Sequence, residues 1–253
     1  MEIITSRQNE KVLSALNYRK SECREKDQKV LCEGRKFISD LVGIKAKLYE
    51  VFYTVDNKDF VEEKLGDYAE KLYCVSEDVL KKLSASKTPQ GIVAVVGIPC
   101  PSKSSSLSTN FLVLDGLQDP GNLGTILRTC VATNFRTIYL VDCVDVYNEK
   151  VVAASMTAIF RLNLRRLSRK EFLGLGLQEN YPLIAADMNG QNALEFKNTN
   201  KVIGLVVGNE GNGISGEIKS LCKTVLSLPM SNGMESLNAS VAAGVLMYCL
   251  MKK

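Results

Sequence analysis

Apolar and polar positions change their period along the chain, and the changes outline its elements. In the first hundred residues, short runs of β character (KVLCEG from Lys29, LYEVFYT from Leu48, KLYCV from Lys71, GIVAVVG from Gly91) alternate with segments whose apolar residues recur at helical spacing. Those segments predict helices over Arg7 to Arg24, Arg35 to Val42 and Lys58 to Gly66. A fourth helix is capped by Ser76 ahead of the acidic Glu77 and Asp78. This alternation describes a small α/β domain. The stretch GIPCPSKSSSLSTN, Gly97 to Asn110, then combines two prolines with a serine cluster, buries no apolar area and predicts a linker.

Beyond the linker five runs are apolar almost throughout: FLVLDGL, TIYLVD, LIAADM, VIGLVVG and TVLSLPM. Continuous runs of this kind suit parallel strands buried on both faces, and the intervals are long enough for crossover helices. The expected division is 1–98, a linker over 99–109, and a doubly wound parallel-sheet α/β domain over 110–253. Ligands of such sheets bind beyond the carboxyl ends of the strands, which directs attention to the loops after Leu117, Val207 and Leu228.

The first loop, LDGLQDPGNLGTILRT, sets Asn122 at the entry to a helix striped by Leu123, Ile126, Leu127 and Val131. Asn122 and Arg128 are readable either as an N-cap and a surface cation or as site residues. The second, VVGNEGNGIS, gathers Gly208, Gly211 and Gly213 around Glu210 directly after a strand. Glycines permit close backbone approach, but the spacing matches neither the P-loop nor the dinucleotide turn, so nucleotide hydrolysis is disfavoured. The third, LPMSNGMESLNASVAAG, offers Ser236 as the N-cap of a final helix whose small residues Ala239, Ala242, Ala243 and Gly244 suit close packing. Packing accounts for the helix, but not for Asn232, Gly233, Glu235 and Asn238 beside it.

Composition narrows the chemistry. The sequence has no histidine, which removes the usual neutral-pH base, every Ser/His/Asp or Cys/His nucleophile and the commonest metal ligand. The eight cysteines form no CxxC pair and read as reduced, mostly buried thiols, so no metal is expected. No run approaches the roughly 18 apolar residues of a membrane span, and the N-terminus lacks a signal-peptide layout, so a cytoplasmic protein is expected. Net charge is +4, unevenly spread. Basic residues crowd Arg7 to Lys36, and RLNLRRLSRK holds Arg161, Arg165, Arg166, Arg169 and Lys170 without an acid among them. Such an unneutralised run reads as an anion or phosphate contact.

Together, DPGNLGTILRT, GNEGNGIS and LPMSNGMESLNASVAAG resemble, in order and spacing, the three motifs of the SpoU (TrmH-type) family of RNA 2'-O-ribose methyltransferases within the SPOUT superfamily. The N-terminal half resembles, less distinctly, the substrate-binding domain of that family's ribosomal RNA enzymes. The resemblance implies S-adenosylmethionine as methyl donor, a deep trefoil knot in the C-terminal domain, and a homodimer. It further implies an RNA substrate, with 23S ribosomal RNA ahead of transfer RNA; a non-catalytic RNA-binding or assembly factor of the same fold is the reading from another class. By motif position it implies cofactor contacts at Gly208, Asn209, Leu228, Met230 and Leu237, and active-site roles for Asn122, Arg128, Glu210, Ser236 and Asn238, with Glu210 and Asn122 orienting Arg128. One departure stands out: the family's third motif usually has glycine three residues after its proline, where this chain has Asn232, with Gly233 following.

Overall fold

A computed structural model describes residues 2–102 and 106–251. Their contacts separate two units, Met1–Pro99 with Tyr147–Phe160, and Cys100–Val146 with Arg161–Lys253. Of the expected linker, Lys103, Ser104 and Ser105 lie outside the described residues.

In the first unit β1 (Ile3–Ile4), β2 (Lys29–Glu33), β3 (Leu48–Tyr53), β4 (Lys71–Val75) and β5 (Ile92–Gly97) form a sheet in the order β1-β4-β3-β5-β2. β1, β4 and β3 run parallel, and β5 is antiparallel to both its neighbours. Helices α1 (Glu10–Asn17), α2 (Ser21–Asp27), α3 (Arg35–Gly43), α4 (Lys58–Leu65) and α5 (Glu77–Leu83) accompany it. Val12 and Ala15 of α1 and Val79, Leu80 and Leu83 of α5 close over Phe52, Val93 and Val95. Ser76 caps α5, its hydroxyl accepting from the Val79 N–H.

The single helix expected over Arg7 to Arg24 is two helices. The chain breaks at Tyr18, which turns into the core; Arg24 meets the carbonyls at the break, and Arg19 reaches those at the end of α5. Arg24 Nη1 donates to the Tyr18 carbonyl at 3.0 Å, and Arg19 Nη2 donates to the Ser84 carbonyl at 2.8 Å. Buried tertiary partners outweigh helical periodicity here.

The second unit is a six-stranded sheet, parallel throughout, of β6 (Phe111–Asp115), β7 (Thr137–Val141), β8 (Asn163–Leu167), β9 (Leu183–Asn192), β10 (Gly204–Val207) and β11 (Thr224–Ser227). Helix α6 (Pro120–Ala132) follows β6. Helix α7 (Glu149–Ser155) leaves this unit to pack on β2 of the first, although the sequence reading assigned it to the second domain. Then come α8 (Arg169–Leu173), α9 (Leu177–Asn180), α10 (Gly216–Lys219) and the C-terminal α11 (Ala239–Leu250), which lies on α6. Phe111, Tyr139 and Phe172 pack edge to face at 5.7 and 5.8 Å inside the sheet's core.

Five strands were expected here and six form. The addition is β8, cut from the basic run: Leu164 is buried, Arg165 half-buried and Arg166 exposed. Nor is that run an array of free cations. The Arg165 guanidinium lies 5.5 Å from the Tyr139 ring centre, Arg166 is 3.8 Å from Asp145, and Arg169 is 3.3 Å from Asp115 and 3.9 Å from Glu217. Acids distant in sequence thus meet two of the run's five cations, Arg166 and Arg169.

Strand order in this sheet is β11-β9-β10-β6-β7-β8. From β6 the chain runs outward through β7 and β8, then returns to build the other side, so the order reverses between β6 and β10. That reversal is a topological switch point, where loops beyond adjacent strand ends diverge and leave room for a ligand. The loops leaving β6 and β10 are the first two singled out in the sequence.

Candidate active site

Asp119 and Pro120 start α6. Pro120 fills the first helical position, where a missing N–H costs nothing, and Asp119 Oδ1 accepts from the Asn122 N–H at 2.6 Å. Asn122 is therefore the third residue of the helix, not its cap, and its side chain is released for other work. Arg128, six residues on, is about 120° away around the helix axis at 100° per residue. It is exposed and, among the described residues, engages neither Glu210 nor any other acid.

The second loop is a tight hairpin. Asn209 and Gly213 exchange N–H···O bonds of 2.9 Å. Asn209 Oδ1 accepts from the N–H groups of Gly211 and Asn212, and its Nδ2 donates to the Gly116 carbonyl at 2.8 Å, fastening the hairpin to the end of β6. Gly208 is obligatory for a steric reason, since a Cβ there would sit 2.1 Å from the Gly213 carbonyl carbon. At the tip, Glu210 Oε1 accepts from Asn122 Nδ2 at 3.1 Å and from the Asp119 N–H at 3.3 Å.

The third loop resolves the Asn232 departure. Asn232 (φ 57°) and Gly233 (φ 71°) are both left-handed, and the Met234 N–H closes on the Ser231 carbonyl at 3.3 Å. Asparagine is among the few L-residues that enter this region readily, so Asn-Gly makes the turn that glycine would otherwise make. Ser236 does not cap α11; it is exposed, and Asn238 is the cap, Oδ1 accepting from the Ser240 N–H at 2.9 Å and from its hydroxyl at 2.7 Å. Asn238 Nδ2 in turn donates to Asn122 Oδ1 at 2.9 Å.

One hydrogen-bonded chain, Glu210–Asn122–Asn238, thus joins all three loops and fixes the Asn122 amide through both its ends. Glu210 holds Asn122, where Arg128 had been expected. Replacing Asn238 with Ala removes a cap and this link together; a stability loss of about 1–2 kcal/mol is expected, read as a fall of roughly 2–8 °C in Tm.

Around this chain the loops carry no Lys or Arg between Gly208 and Ser215 or between Leu228 and Asn238, and their apolar residues include Leu228, Met230, Met234 and Leu237. Leu228 and Met230 are half-buried, whereas Leu237 (40% exposed) and Met234 (64% exposed) stand open. Beneath the first loop, burial pushes the Cys143 thiol up to about 12; it donates to the Leu114 carbonyl and has no nucleophilic character at neutral pH. Among the described residues no cluster of three His, Cys, Asp or Glu side chains is placed to hold a metal ion. Reading the loops as sequence missed Asp119 and the carbonyl of Gly116. The first was visible as an Asp-Pro start signal; the second, a backbone group, has no sequence signal.

Residues 109–248, which hold all three loops, match the model of the SpoU rRNA Methylase family. The chain belongs to that family. Residues 9–94 match the MRM3-like substrate binding domain, so both parts of a SpoU methylase are represented. An uncharacterized tRNA/rRNA methyltransferase of Synechocystis is 30% identical over 97% of this chain and 92% of its own length. The 23S rRNA guanosine 2'-O-methyltransferase RlmP of Bacillus subtilis is 26% identical over 99% of both. A solved RNA 2'-O ribose methyltransferase superposes with a TM-score of 0.81 at 27% identity, covering 98% of this chain and 97% of that one. An AdoMet-bound rRNA methyltransferase from Sinorhizobium meliloti shares the fold of this SpoU chain, with a TM-score of 0.85 at 23% identity over 98% and 96% of the two chains.

Proposed function

We propose that this SpoU methylase transfers a methyl group from S-adenosylmethionine to a ribose 2'-oxygen of 23S ribosomal RNA. The observation that carries the reading is the Glu210–Asn122–Asn238 chain, which gathers three loops at the switch point of a parallel sheet. Its similarity over full length to a 23S rRNA 2'-O-methyltransferase supports the substrate.

The loops suit that cofactor. Uncovered Leu237 and Met234 and half-buried Leu228 and Met230 offer apolar area to an adenosine, and the loops lack the cations that a phosphate ligand would need. Backbone groups of Gly208, Asn209, Leu228, Met230 and Leu237 would hold the cofactor, and Glu210 would supply negative charge to a cationic ligand. When bound, S-adenosylmethionine supplies a methyl group already activated toward attack by an oxygen.

The protein's remaining work is alignment and charge control. Asn122, locked by Glu210 and Asn238, orients the ribose, and Ser236, exposed in the third loop, contacts the nucleotide. A guanidinium is a fixed cationic fork across the ordinary pH range, so Arg128 serves as a clamp: it donates to the phosphate beside the reactive ribose and stabilises the charge that develops as the hydroxyl gives up its proton to water.

The same reading includes a trefoil knot and a homodimer. From β11, at the sheet edge, the chain comes back across the strand ends to set α11 on α6, the path a threaded C-terminus would follow. On α11, Val241, Val245 and Tyr248 form an exposed apolar stripe at helical spacing that suits a second copy. Eight cysteines without a disulfide fit a cytoplasmic setting.

Two measurements test the reading. Calorimetry should show S-adenosylmethionine binding to the purified protein, and absence of binding removes the enzymatic function. A map of ribose methylation in RNA from cells with and without the gene should lose one mark in 23S rRNA; loss of a transfer RNA mark instead corrects the substrate.

A further inference from the structure

Asp115 closes β6 and is 2% exposed, yet it faces none of the residues that hold cofactor or ribose. Its two oxygens have different partners. Oδ1 accepts from Arg169 Nη2, on α8, at 3.3 Å, and Oδ2 accepts from the Ser215 N–H at 2.7 Å. Ser215 ends the hairpin that begins at Gly208. The next residue, Gly116, accepts from Asn209 at the hairpin's start. Two consecutive residues, Asp115 at the end of β6 and Gly116 just beyond it, therefore pin the hairpin at both its ends, and the tip between those pins carries Glu210. A buried carboxylate is stable only where its charge is met, and Arg169 meets this one through Nη2, its Nε having no hydrogen-bond partner among the described residues.

We propose that Asp115, charge-balanced by Arg169, is a positioning residue for methyl transfer: by holding Ser215 it sets the 208–215 hairpin in the geometry that receives S-adenosylmethionine and presents Glu210 to Asn122. The proposal rests on the cofactor assignment above. It explains why an arginine from the basic run turns inward to an acid 54 residues away, and it separates Asp115 from RNA contact.

The test compares wild type with D115N, R169Q and the double variant D115N/R169Q by calorimetry with S-adenosylmethionine, thermal melting, and steady-state methylation of RNA. D115N keeps an oxygen for the Ser215 N–H but turns an amide donor toward the Arg169 guanidinium. Loss of a charge-assisted bond of this kind is expected to raise the Kd for S-adenosylmethionine about tenfold, with the KM for RNA unchanged. R169Q should weaken cofactor binding similarly, and the double variant, which puts a neutral acceptor opposite the new amide, should recover to within about threefold of wild type. A lower Tm with unaltered cofactor Kd reduces Asp115 to a structural role and overturns the proposal, as does a double variant no better than the singles. Should D115N fail to fold, R169Q decides alone, because its guanidinium is partly exposed and its loss tolerable; an unchanged Kd overturns the proposal. Wild-type protein that binds no S-adenosylmethionine overturns the cofactor assignment itself, an outcome distinct from wild-type binding with indifferent variants.

Discussion

Arg128→Ala is expected to abolish ribose methylation while leaving the protein folded. The side chain is exposed on α6 and engages no acid among the described residues, so nothing in the fold depends on it. Its removal should shift Tm by no more than about 1 °C and the Kd for S-adenosylmethionine by less than about twofold, as for ordinary surface substitutions. Loss of a clamp on developing charge typically costs about a hundred- to a thousandfold in kcat. Arg128→Lys keeps the charge but not the planar fork, and should recover only part of the rate. A variant with full activity would remove Arg128 from the mechanism.

Gly208→Ala should have the largest effect on the loops themselves. The added methyl would meet backbone atoms of Gly213 and Ile214 at 2.1–2.3 Å, and backbone cannot step aside as a flexible side chain can. The hairpin must open, at a cost of about 3 kcal/mol or more, and with it goes the placement of Glu210. The expected signature is a Tm lower by at least about 6 °C together with loss of measurable cofactor binding. Gly211 supplies the control, because a methyl there meets only the Asn209 Oδ1, at an ordinary 3.6 Å; Gly211→Ala should leave both quantities near wild type. Equal effects at the two glycines would refute the steric account.

The contrast between those two glycines shows what the sequence could and could not disclose. All three glycines of the loop look alike as letters, and only the hairpin's fold-back distinguishes Gly208. Periodicity located the buried strands β6, β7, β9, β10 and β11, whose apolar runs announce burial on both faces. It passed over β8, where Leu164 alternates with arginines in an edge strand, and over β1, two residues long. At α11 two good capping residues competed. Ser236 is the expected cap by residue type, but Leu237 after it is open in the loop and the helix begins only after Asn238. The motif residues were legible by resemblance, but their connections were not. The resemblance implies that Glu210 and Asn122 orient Arg128, whereas Glu210 bonds to Asn122 and the Asp119 N–H. The acids that meet Arg166 and Arg169 of the basic run, Asp145 for the first and Asp115 and Glu217 for the second, lie elsewhere in the chain and have no signal beside it.

The Glu210–Asn122–Asn238 chain also says when the site comes into being. Its links span 88 and 116 residues of sequence, so each closes a long loop, an entropic debt that only the surrounding packed sheet can offset. No fragment or partly folded species can hold the arrangement. During refolding, cofactor binding should therefore return last, after strand and helix signals are complete, as expected of contacts so far apart in the chain. Catalytic competence in this protein is a late event and a stringent witness that the whole second unit has folded.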